Sequence, residues 1–277
     1  MFRIPVFEHK VIKINYFEKG KGEIFLMIPG FGQPYGTWAL QISFFRRKMM
    51  VLSLDNRGTG KSSKPDYPYT MDMFTNDIYD LLNHLNIETQ IHLVGHSMGD
   101  MIAQAFVLKY PEIVKTLTIL SAPTYIDDSF NQVSEQLEAS MQNPDLEARF
   151  KKMSELSYSE SFIKRITQNK SLYDIILDQF IEQSTTFTLK DYINQKAAML
   201  GFDTRELLHK ISQPTLIMQG TDDKLVTLEH SKILNEKISN SRLELFEGLG
   251  HSFILEDPMK ANNLIWNFIQ QHLELIH

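Results

Sequence analysis

The outer thirds of this 277-residue chain alternate between short apolar runs and amphipathic helical patterns. Several of the apolar runs are continuous rather than alternating, which is typical of strands buried on both faces of a sheet. Helical patterns between such strands favour a parallel sheet with helices on both faces. The predicted strands are residues 10–17, 24–30, 49–55, 91–97, 114–123, 214–220 and 242–248.

Helices are predicted in the intervals between these strands. Apolar residues spaced by three and four between positions 71 and 85 indicate an amphipathic helix that begins after Thr70. A second helix is expected directly after Ser97 and should end before Pro111. Two more are predicted, one near 227–239 and a closing helix that begins at about 258.

The middle of the chain breaks this alternation. Residues 124–210 contain no convincing strand and are rich in Gln, Asn, Ser, Met and aromatic residues in helical patterns. The strand pattern then resumes, so we expect residues 1–123 and 211–277 to form one α/β core. Residues 124–210 are predicted to be a helical cap inserted after the predicted strand 114–123. The alternative is a helical bundle whose aromatic residues fill only its own core.

Composition excludes several classes of protein. A net charge of −6 and a pI near 5.9 argue against a nucleic-acid partner. The absence of cysteine excludes disulfides, thiolate metal sites and a cysteine nucleophile, and suits a reducing compartment. The N-terminus has no signal-peptide pattern, and no segment reaches the ~18 apolar residues of a membrane span. We therefore expect a cytoplasmic monomer or homodimer.

The segment GHSMG, residues 95–99, lies where a predicted buried strand meets a predicted helix. The pattern G-x-S-x-G forms a sharp strand-to-helix turn that exposes the serine hydroxyl, here that of Ser97. The turn also places the serine at a helix N-terminus, where free N–H groups favour an anion. Ser97 is therefore a candidate nucleophile.

A serine nucleophile needs a base, and the base needs a third group to orient it. For this type of turn the expected order along the chain is Ser, then Asp or Glu, then His. Asp222 and Asp223 follow the predicted strand 214–220, and His251 follows the predicted strand 242–248. All three positions are at carboxyl ends of strands, where open α/β sheets bind their ligands.

These segments together resemble an α/β-hydrolase-fold enzyme, and the resemblance covers both outer thirds of the chain. It implies a mostly parallel central sheet flanked by helices, with a helical lid inserted after the sixth strand of the family's sheet and with no metal or organic cofactor. Within that family the chain is similar to small lidded esterases and lactonases, such as 3-oxoadipate enol-lactonase and pimeloyl-carrier methyl ester esterases. The segments that carry the resemblance are IPGFG, DNRGTGKSS, GHSMG, QPTLIMQGTDD and GLGHSFILEDP.

The resemblance implies a role for each candidate. Ser97 corresponds to the nucleophile and His251 to the general base. Asp223 corresponds to the acid, because the family's acid falls three residues after the glycine that ends its strand, here Gly220. Asp222 is the alternative acid, and its other expected role is to cap the following turn.

The resemblance also implies an oxyanion hole made of two backbone N–H groups, those of Phe31 and Met98. Pro29 stands where many relatives have histidine. Because the donor is the main-chain N–H of Phe31, this difference should not remove the oxyanion hole. Asp100 stands where relatives usually have glycine, and an aspartate there adds negative charge near the oxyanion. We expect Asp100 to be a solvated residue at the start of a helix.

Two further motifs are candidates for other chemistry. DNRGTGKSS, residues 55–63, ends like a nucleotide-binding P-loop, but Asp55 occupies the position of the first P-loop glycine. In relatives this segment is the turn after the fourth strand, and we expect Asp55 and Arg57 to hold that turn in place. His92 and His96 are spaced like metal ligands, but on a strand and turn they lack the one-face geometry that a helix would give. No carboxylate is an obvious third ligand, so no metal site is predicted.

The sequence therefore predicts a serine hydrolase that cleaves a small-molecule carboxylic ester, lactone or thioester through an acyl-enzyme. The first alternative keeps the Ser97, Asp223 and His251 triad but breaks another bond, as a C–C hydrolase or a perhydrolase. The second alternative is a non-catalytic receptor for a small molecule on the same fold, because a fold alone does not define a function.

Overall fold

In a computed structural model of the protein, residues 6–9 and 12–273 are described. Strands β2 to β8 form a mostly parallel sheet in the order β2-β4-β3-β5-β6-β7-β8, and β1 pairs antiparallel with β2 at its edge. The strands are β1 (Val6–His9), β2 (Ile12–Lys19), β3 (Ile24–Ile28), β4 (Met50–Leu54), β5 (Ile91–His96), β6 (Val114–Leu120), β7 (Thr215–Gly220) and β8 (Ser241–Phe246).

The seven predicted strands are confirmed as β2 to β8, whereas β1 was not predicted from its sequence. Residues 10 and 11 of the first predicted strand lie outside the described residues, as do residues 1–5, on which the reading of the N-terminus rests. The helices are α1 (Ala39–Phe45), α2 (Met71–His84), α3 (Met98–Lys109), α4 (Asp128–Met141), α5 (Leu146–Ser157), α6 (Glu160–Gln168), α7 (Lys170–Thr186), α8 (Leu189–Met199), α9 (Leu228–Lys237), α10 (Phe253–Glu256) and α11 (Pro258–Gln270).

Helices cover both faces of the sheet. Successive side chains of a buried strand point to opposite faces, so each strand packs against both layers of helices. In β3, Leu26 and Ile28 pack in one core cluster with α2, α3 and α9. The alternate residues of β3, Phe25 and Met27, pack in a second cluster with α1, α10 and α11. The continuous apolar runs of the sequence are thus explained by burial on two sides.

Local signals place the ends of the predicted helices. The hydroxyl of Thr70 accepts a hydrogen bond from the N–H of Met73 and caps α2, as expected. Helix α3 ends at Lys109, two residues before Pro111.

No helix in the described part of the chain is long and apolar enough to cross a membrane.

Five helices, α4 to α8, lie between β6 and β7. The two ends of this segment are adjacent, since the N–H of Ile126 donates to the carbonyl of Phe202 and the N–H of Thr204 donates to the carbonyl of Thr124. Helices α5, α6 and α7 share a small apolar cluster built on Phe150. The segment therefore leaves and rejoins the sheet at one place.

The turn DNRGTGKSS is held by its own side chains, as expected. The carboxylate of Asp55 accepts hydrogen bonds from Asn15 Nδ2 and from the N–H groups of Tyr35 and Lys61. A Cβ on Gly60 would lie 2.2 Å from Asp55 Oδ2, and Gly60 has φ of 52°, so glycine is required there. The buried guanidinium of Arg57 contacts Asp77 at 2.6 Å.

Candidate active site

Ser97 lies between β5 and α3 in a backbone conformation that residues other than glycine rarely adopt, with φ of 57° and ψ of −120°. The glycines on either side allow this turn. A Cβ on Gly95 would lie 2.4 Å from the carbonyl oxygen of Gly99, and a Cβ on Gly99 would lie 2.1 Å from that of Ile28. Strain of this kind is typical of functional sites, and here it presents the hydroxyl of Ser97 to a cavity.

His251 and Asp223 contact each other beyond the carboxyl ends of two neighbouring strands. Asp223 follows β7 and His251 follows β8. His251 Nδ1 and Asp223 Oδ2 are 2.8 Å apart, and both side chains are buried. The other oxygen, Asp223 Oδ1, accepts hydrogen bonds from the N–H groups of Leu225 and Val226, which fix the carboxylate.

Asp222 does not contact His251. Its side chain is exposed, and its Oδ1 accepts a hydrogen bond from the hydroxyl of Thr221. The cap of the turn after β7, which the sequence suggested for Asp222, is formed by Asp223 instead. The choice between the two aspartates therefore rests on one contact, which only Asp223 makes.

Ser97 and His251 line the same cavity. Within the described residues no hydrogen bond joins the two side chains, and the imidazole of His251 is bonded to Asp223. Hydrogen bonds between a nucleophile and its base are often long in structures without substrate and shorten when the substrate binds.

The two predicted oxyanion donors flank Ser97. Met98 is the next residue, and a Cβ on Gly30, which precedes Phe31, would lie 3.4 Å from the Cβ of Ser97. Neither the N–H of Phe31 nor that of Met98 has a hydrogen-bond partner in the described part of the chain. The ring of Phe31 packs edge-to-face on Tyr192, with centroids 4.8 Å apart, so this loop is held against α8.

Gln195 of α8 is a site residue that the sequence did not predict. Its Oε1 accepts a hydrogen bond from the N–H of Gly32 at 2.9 Å. Its Nε2 donates to the carbonyl of Arg57 and to the hydroxyl of Thr59. The side chain is fully buried. Its hydrogen bonds connect the loop of Phe31 to the DNRGTGKSS turn. A single glutamine in a helical pattern carries no signal of this role.

His96 and His92 are held by hydrogen bonds rather than grouped as metal ligands. His96 Nε2 donates to the carbonyl of His251 at 3.1 Å, and the two rings are 4.9 Å apart. Burial, with a contribution from His251, lowers the pKa of His96 to about 3. His96 is therefore a neutral neighbour of His251. His92, four residues earlier on β5, contacts Thr116 and Glu23.

The prediction that Asp100 is solvated is wrong. Its side chain is completely buried in the first turn of α3, where Oδ2 accepts a hydrogen bond from the N–H of Leu120 at 2.6 Å. Oδ1 has no hydrogen-bond partner among the described residues. Burial raises the pKa of Asp100 well above its usual range. Burial therefore disfavours the negative charge that was expected near the oxyanion hole.

A cavity of about 1040 Å³ opens above Ser97 and His251. Its lining is mainly apolar and aromatic, as is usual for small-molecule sites. The segment that contains α4 to α8 supplies much of that lining, including Phe130, Phe150, Tyr158, Phe180, Phe187 and Tyr192.

The doubly covered parallel sheet, the strained Ser97 and the paired His251 and Asp223 define a hydrolase of the α/β class. The chain belongs to the alpha/beta hydrolase fold family, which it matches over residues 23–258.

Individual relatives are distant but span nearly the whole chain. The chain is 26% identical over 272 residues to 3-oxoadipate enol-lactonase 2 of Acinetobacter baylyi, covering 95% of this chain and 97% of the relative. It is 22% identical over 267 residues to 2-hydroxy-6-oxo-6-(2'-aminophenyl)hexa-2,4-dienoic acid hydrolase of Metapseudomonas resinovorans, covering 95% and 90%. Among solved structures, the alpha/beta hydrolase MGS-M2 from a Medee basin deep-sea metagenome library superposes with a TM-score of 0.89 at 23% identity, over 99% of both chains.

Proposed function

We propose that this protein is a serine esterase that hydrolyses a carboxylic ester, lactone or thioester of a small apolar molecule. The observation that carries the proposal is the 2.8 Å contact between His251 and Asp223 at the cavity that Ser97 also lines. This arrangement supplies a nucleophile, a base and a group that orients the base.

Proton transfer follows from the contact between His251 and Asp223. A carboxylate only accepts hydrogen bonds, so His251 Nδ1 carries the proton and Nε2 keeps a lone pair. Nε2 removes the proton of the Ser97 hydroxyl as Oγ attacks the carbonyl carbon of the substrate. The neutral His96 beside it does not compete for that proton, because burial lowers the pKa of His96 to about 3.

The reaction then proceeds through an acyl-enzyme. The free N–H groups of Phe31 and Met98 donate to the oxyanion of the tetrahedral intermediate. His251 returns the proton to the leaving alcohol as the carbon–oxygen bond breaks, and the acyl group stays on Ser97. Water then attacks this ester, His251 takes its proton, and the acid leaves as Ser97 Oγ recovers a proton.

We further propose that α4 to α8 act as a cap that carries substrate specificity, with residues 1–123 and 211–277 as the core. The two adjacent ends of the segment and its share of the cavity lining support this division. The apolar lining favours an apolar acyl or alcohol group. The cytoplasmic location and the monomeric or homodimeric state stay predictions.

A second candidate is hydrolysis of a carbon–carbon bond by the same three residues. It is favoured by the similarity to a relative named as a hydrolase of a hydroxy-oxo-dienoic acid. An ester and a vinylogous diketone both present a carbonyl to Ser97, so the two candidates differ in the group that leaves.

The test is a panel of p-nitrophenyl esters from acetate to decanoate, assayed with the wild type and with Ser97→Ala. We expect hydrolysis that favours short or medium acyl chains and that falls by roughly 10³-fold or more in Ser97→Ala. A vinylogous diketone is assayed in parallel by the loss of its absorbance. Turnover of the diketone without turnover of any ester would replace the esterase proposal by the second candidate.

A further inference from the structure

Arg149 of α5 lines the cavity and has no partner. Its side chain is half-buried, and no hydrogen bond, ion pair or ring contact of its guanidinium is found in the described part of the chain. Burial alone lowers the pKa of Arg149, with no neighbouring carboxylate acting against it. A guanidinium in this position has lost part of its hydration without gaining an anion in return.

The other cations of the cavity are occupied. Arg165 donates from Nη2 to the carbonyl of Glu256 at 2.9 Å and lies 4.5 Å from the ring centroid of Phe162. Lys260 lies over the ring of Phe246 at 4.4 Å. Arg149 differs from both, because its guanidinium has neither a hydrogen bond nor a ring contact among the described residues.

The carboxylates that line the same cavity do not reach Arg149. Glu256 is buried and accepts hydrogen bonds from the N–H groups of Ser159 and Gly250. Asp257 caps α11 by accepting from the N–H of Lys260. Glu247, the third carboxylate of the lining, is exposed and forms no ion pair with Arg149 among the described residues. The positive charge of Arg149 is therefore not compensated.

We propose that Arg149 binds a carboxylate at the far end of an otherwise apolar substrate, so that the natural substrate is an ester or lactone whose apolar acyl chain ends in a free carboxylate. This inference rests on the proposed function and names its substrate class. A guanidinium pairs with a planar carboxylate through two parallel hydrogen bonds, and one unpaired arginine matches one negative charge.

The position of Arg149 on α5 indicates the distance between the carboxylate and the reacting carbonyl of that substrate. The carbonyl of Ser157, at the end of α5, accepts a hydrogen bond from the N–H of Ser252, which follows His251. Arg149 precedes Ser157 by eight residues, which is about 12 Å along a helix. Helical side chains also lean toward the N-terminus, away from His251. The carboxylate and the reacting carbonyl are therefore separated by a medium-length chain rather than by the two carbons of a succinyl group.

The experiment compares two p-nitrophenyl esters of azelaic acid, one with a free ω-carboxylate and one with the matching ω-amide. The two have nearly the same shape and differ by one charge. We expect the wild type to prefer the carboxylate in kcat/KM by roughly 10- to 100-fold, the range of a charged hydrogen bond. Arg149→Gln should bring this ratio close to one, and Arg149→Lys should restore part of it.

Lys151→Gln is the matched control, because it removes one positive charge from the exposed side of the same helix, outside the cavity lining. It should keep the wild-type ratio. A wild-type ratio near one, or an equal loss of the ratio in Lys151→Gln and Arg149→Gln, would overturn the assignment of Arg149.

A binding measurement separates this inference from the proposed function. Monomethyl azelate and its neutral ω-amide are titrated calorimetrically into Ser97→Ala and into the double variant Ser97→Ala with Arg149→Gln. We expect tighter binding of the carboxylate only while Arg149 is present. If no ester is hydrolysed by the wild type, the proposed function fails, but this comparison still decides whether Arg149 binds carboxylates.

Discussion

The side chain of Gln195 accepts a hydrogen bond from the N–H of Gly32 at 2.9 Å. Gly32 follows Phe31, whose own N–H is one of the two proposed oxyanion donors. A helix of the proposed cap therefore fixes the loop that carries this proposed donor. Because Gln195 also donates to Arg57 and Thr59, the same side chain joins three segments that are far apart in sequence.

Replacing Gln195 by methionine should lower kcat by roughly tenfold while changing KM for a neutral ester only slightly, because a loosened loop misplaces a donor used in the transition state. Affinity for a boronic acid that mimics the tetrahedral intermediate should fall in parallel with kcat. Asn194→Ala is the control, since Asn194 contacts Pro65 rather than the Gly32 loop. Equal effects of both changes on kcat would mean that α8 acts only through packing.

Asp223→Asn should lower kcat by about 10⁴-fold, as the equivalent change does in serine proteases. The amide oxygen can still accept from Leu225 and Val226, so the turn is kept. The amide nitrogen, however, donates to His251 Nδ1 and favours the tautomer whose Nε2 carries a proton.

Asp222→Asn is the matched control for that change, because it alters the adjacent, exposed aspartate in the same way. Its steady-state kinetics with a p-nitrophenyl ester should stay close to those of the wild type. A larger loss in Asp222→Asn than in Asp223→Asn would reverse our assignment of the acid.

Asp100→Asn should stabilise the protein at neutral pH. The pKa of Asp100 is raised in the folded state, so between the unfolded-state pKa near 3.8 and that raised value the folded state binds more protons, and stability falls as pH rises. Asparagine has no such proton. The gain in the free energy of unfolding should be near zero at pH 3.5 and grow by up to about 1.4 kcal/mol per pH unit above pH 4.

Urea unfolding of the wild type and of Asp100→Asn at several pH values measures this difference, in which all other titrating groups cancel. A difference that does not change with pH would show that the carboxyl of Asp100 is ionised inside the fold.

Gly99→Ala should destabilise the protein by about 3 kcal/mol, because the new Cβ would lie 2.1 Å from the carbonyl oxygen of Ile28. Gly36→Ala is the comparison, since a Cβ there meets nothing within 4 Å. It should change stability by less than about 1 kcal/mol. Thermal unfolding of both variants checks this, and equal shifts would contradict the close packing of the turn around Ser97.

The strands and the residues that follow them could be predicted because buried parallel strands leave continuous apolar runs in the sequence. Ser97 and Asp223 each follow such a run, whereas His251 follows β8, an edge strand whose apolar residues alternate with polar ones. Parallel strands bring these three carboxyl ends to the same side of the sheet. Strand β1 was missed because Val6–His9 is a short edge strand with no such run.

Asp100 and Gln195 show where prediction from this sequence stops. An aspartate in a first helical turn is usually solvated, but α3 is apolar on nearly every side and is buried between the sheet and α2. The environment of Asp100 therefore depends on packing from β6, which no local pattern reveals. Gln195 makes its contacts with residues more than 130 positions away, so only the folded chain brings them together.

The central claim is that Ser97 is a nucleophile activated by His251. The most direct measurement is the intact mass of the protein after incubation with a fluorophosphonate, followed by peptide mapping of the adduct. We predict one phosphonyl group on Ser97 in the wild type, none in Ser97→Ala and strongly slowed labelling in His251→Ala. An unmodified wild-type protein, or an adduct on another residue, would contradict the claim.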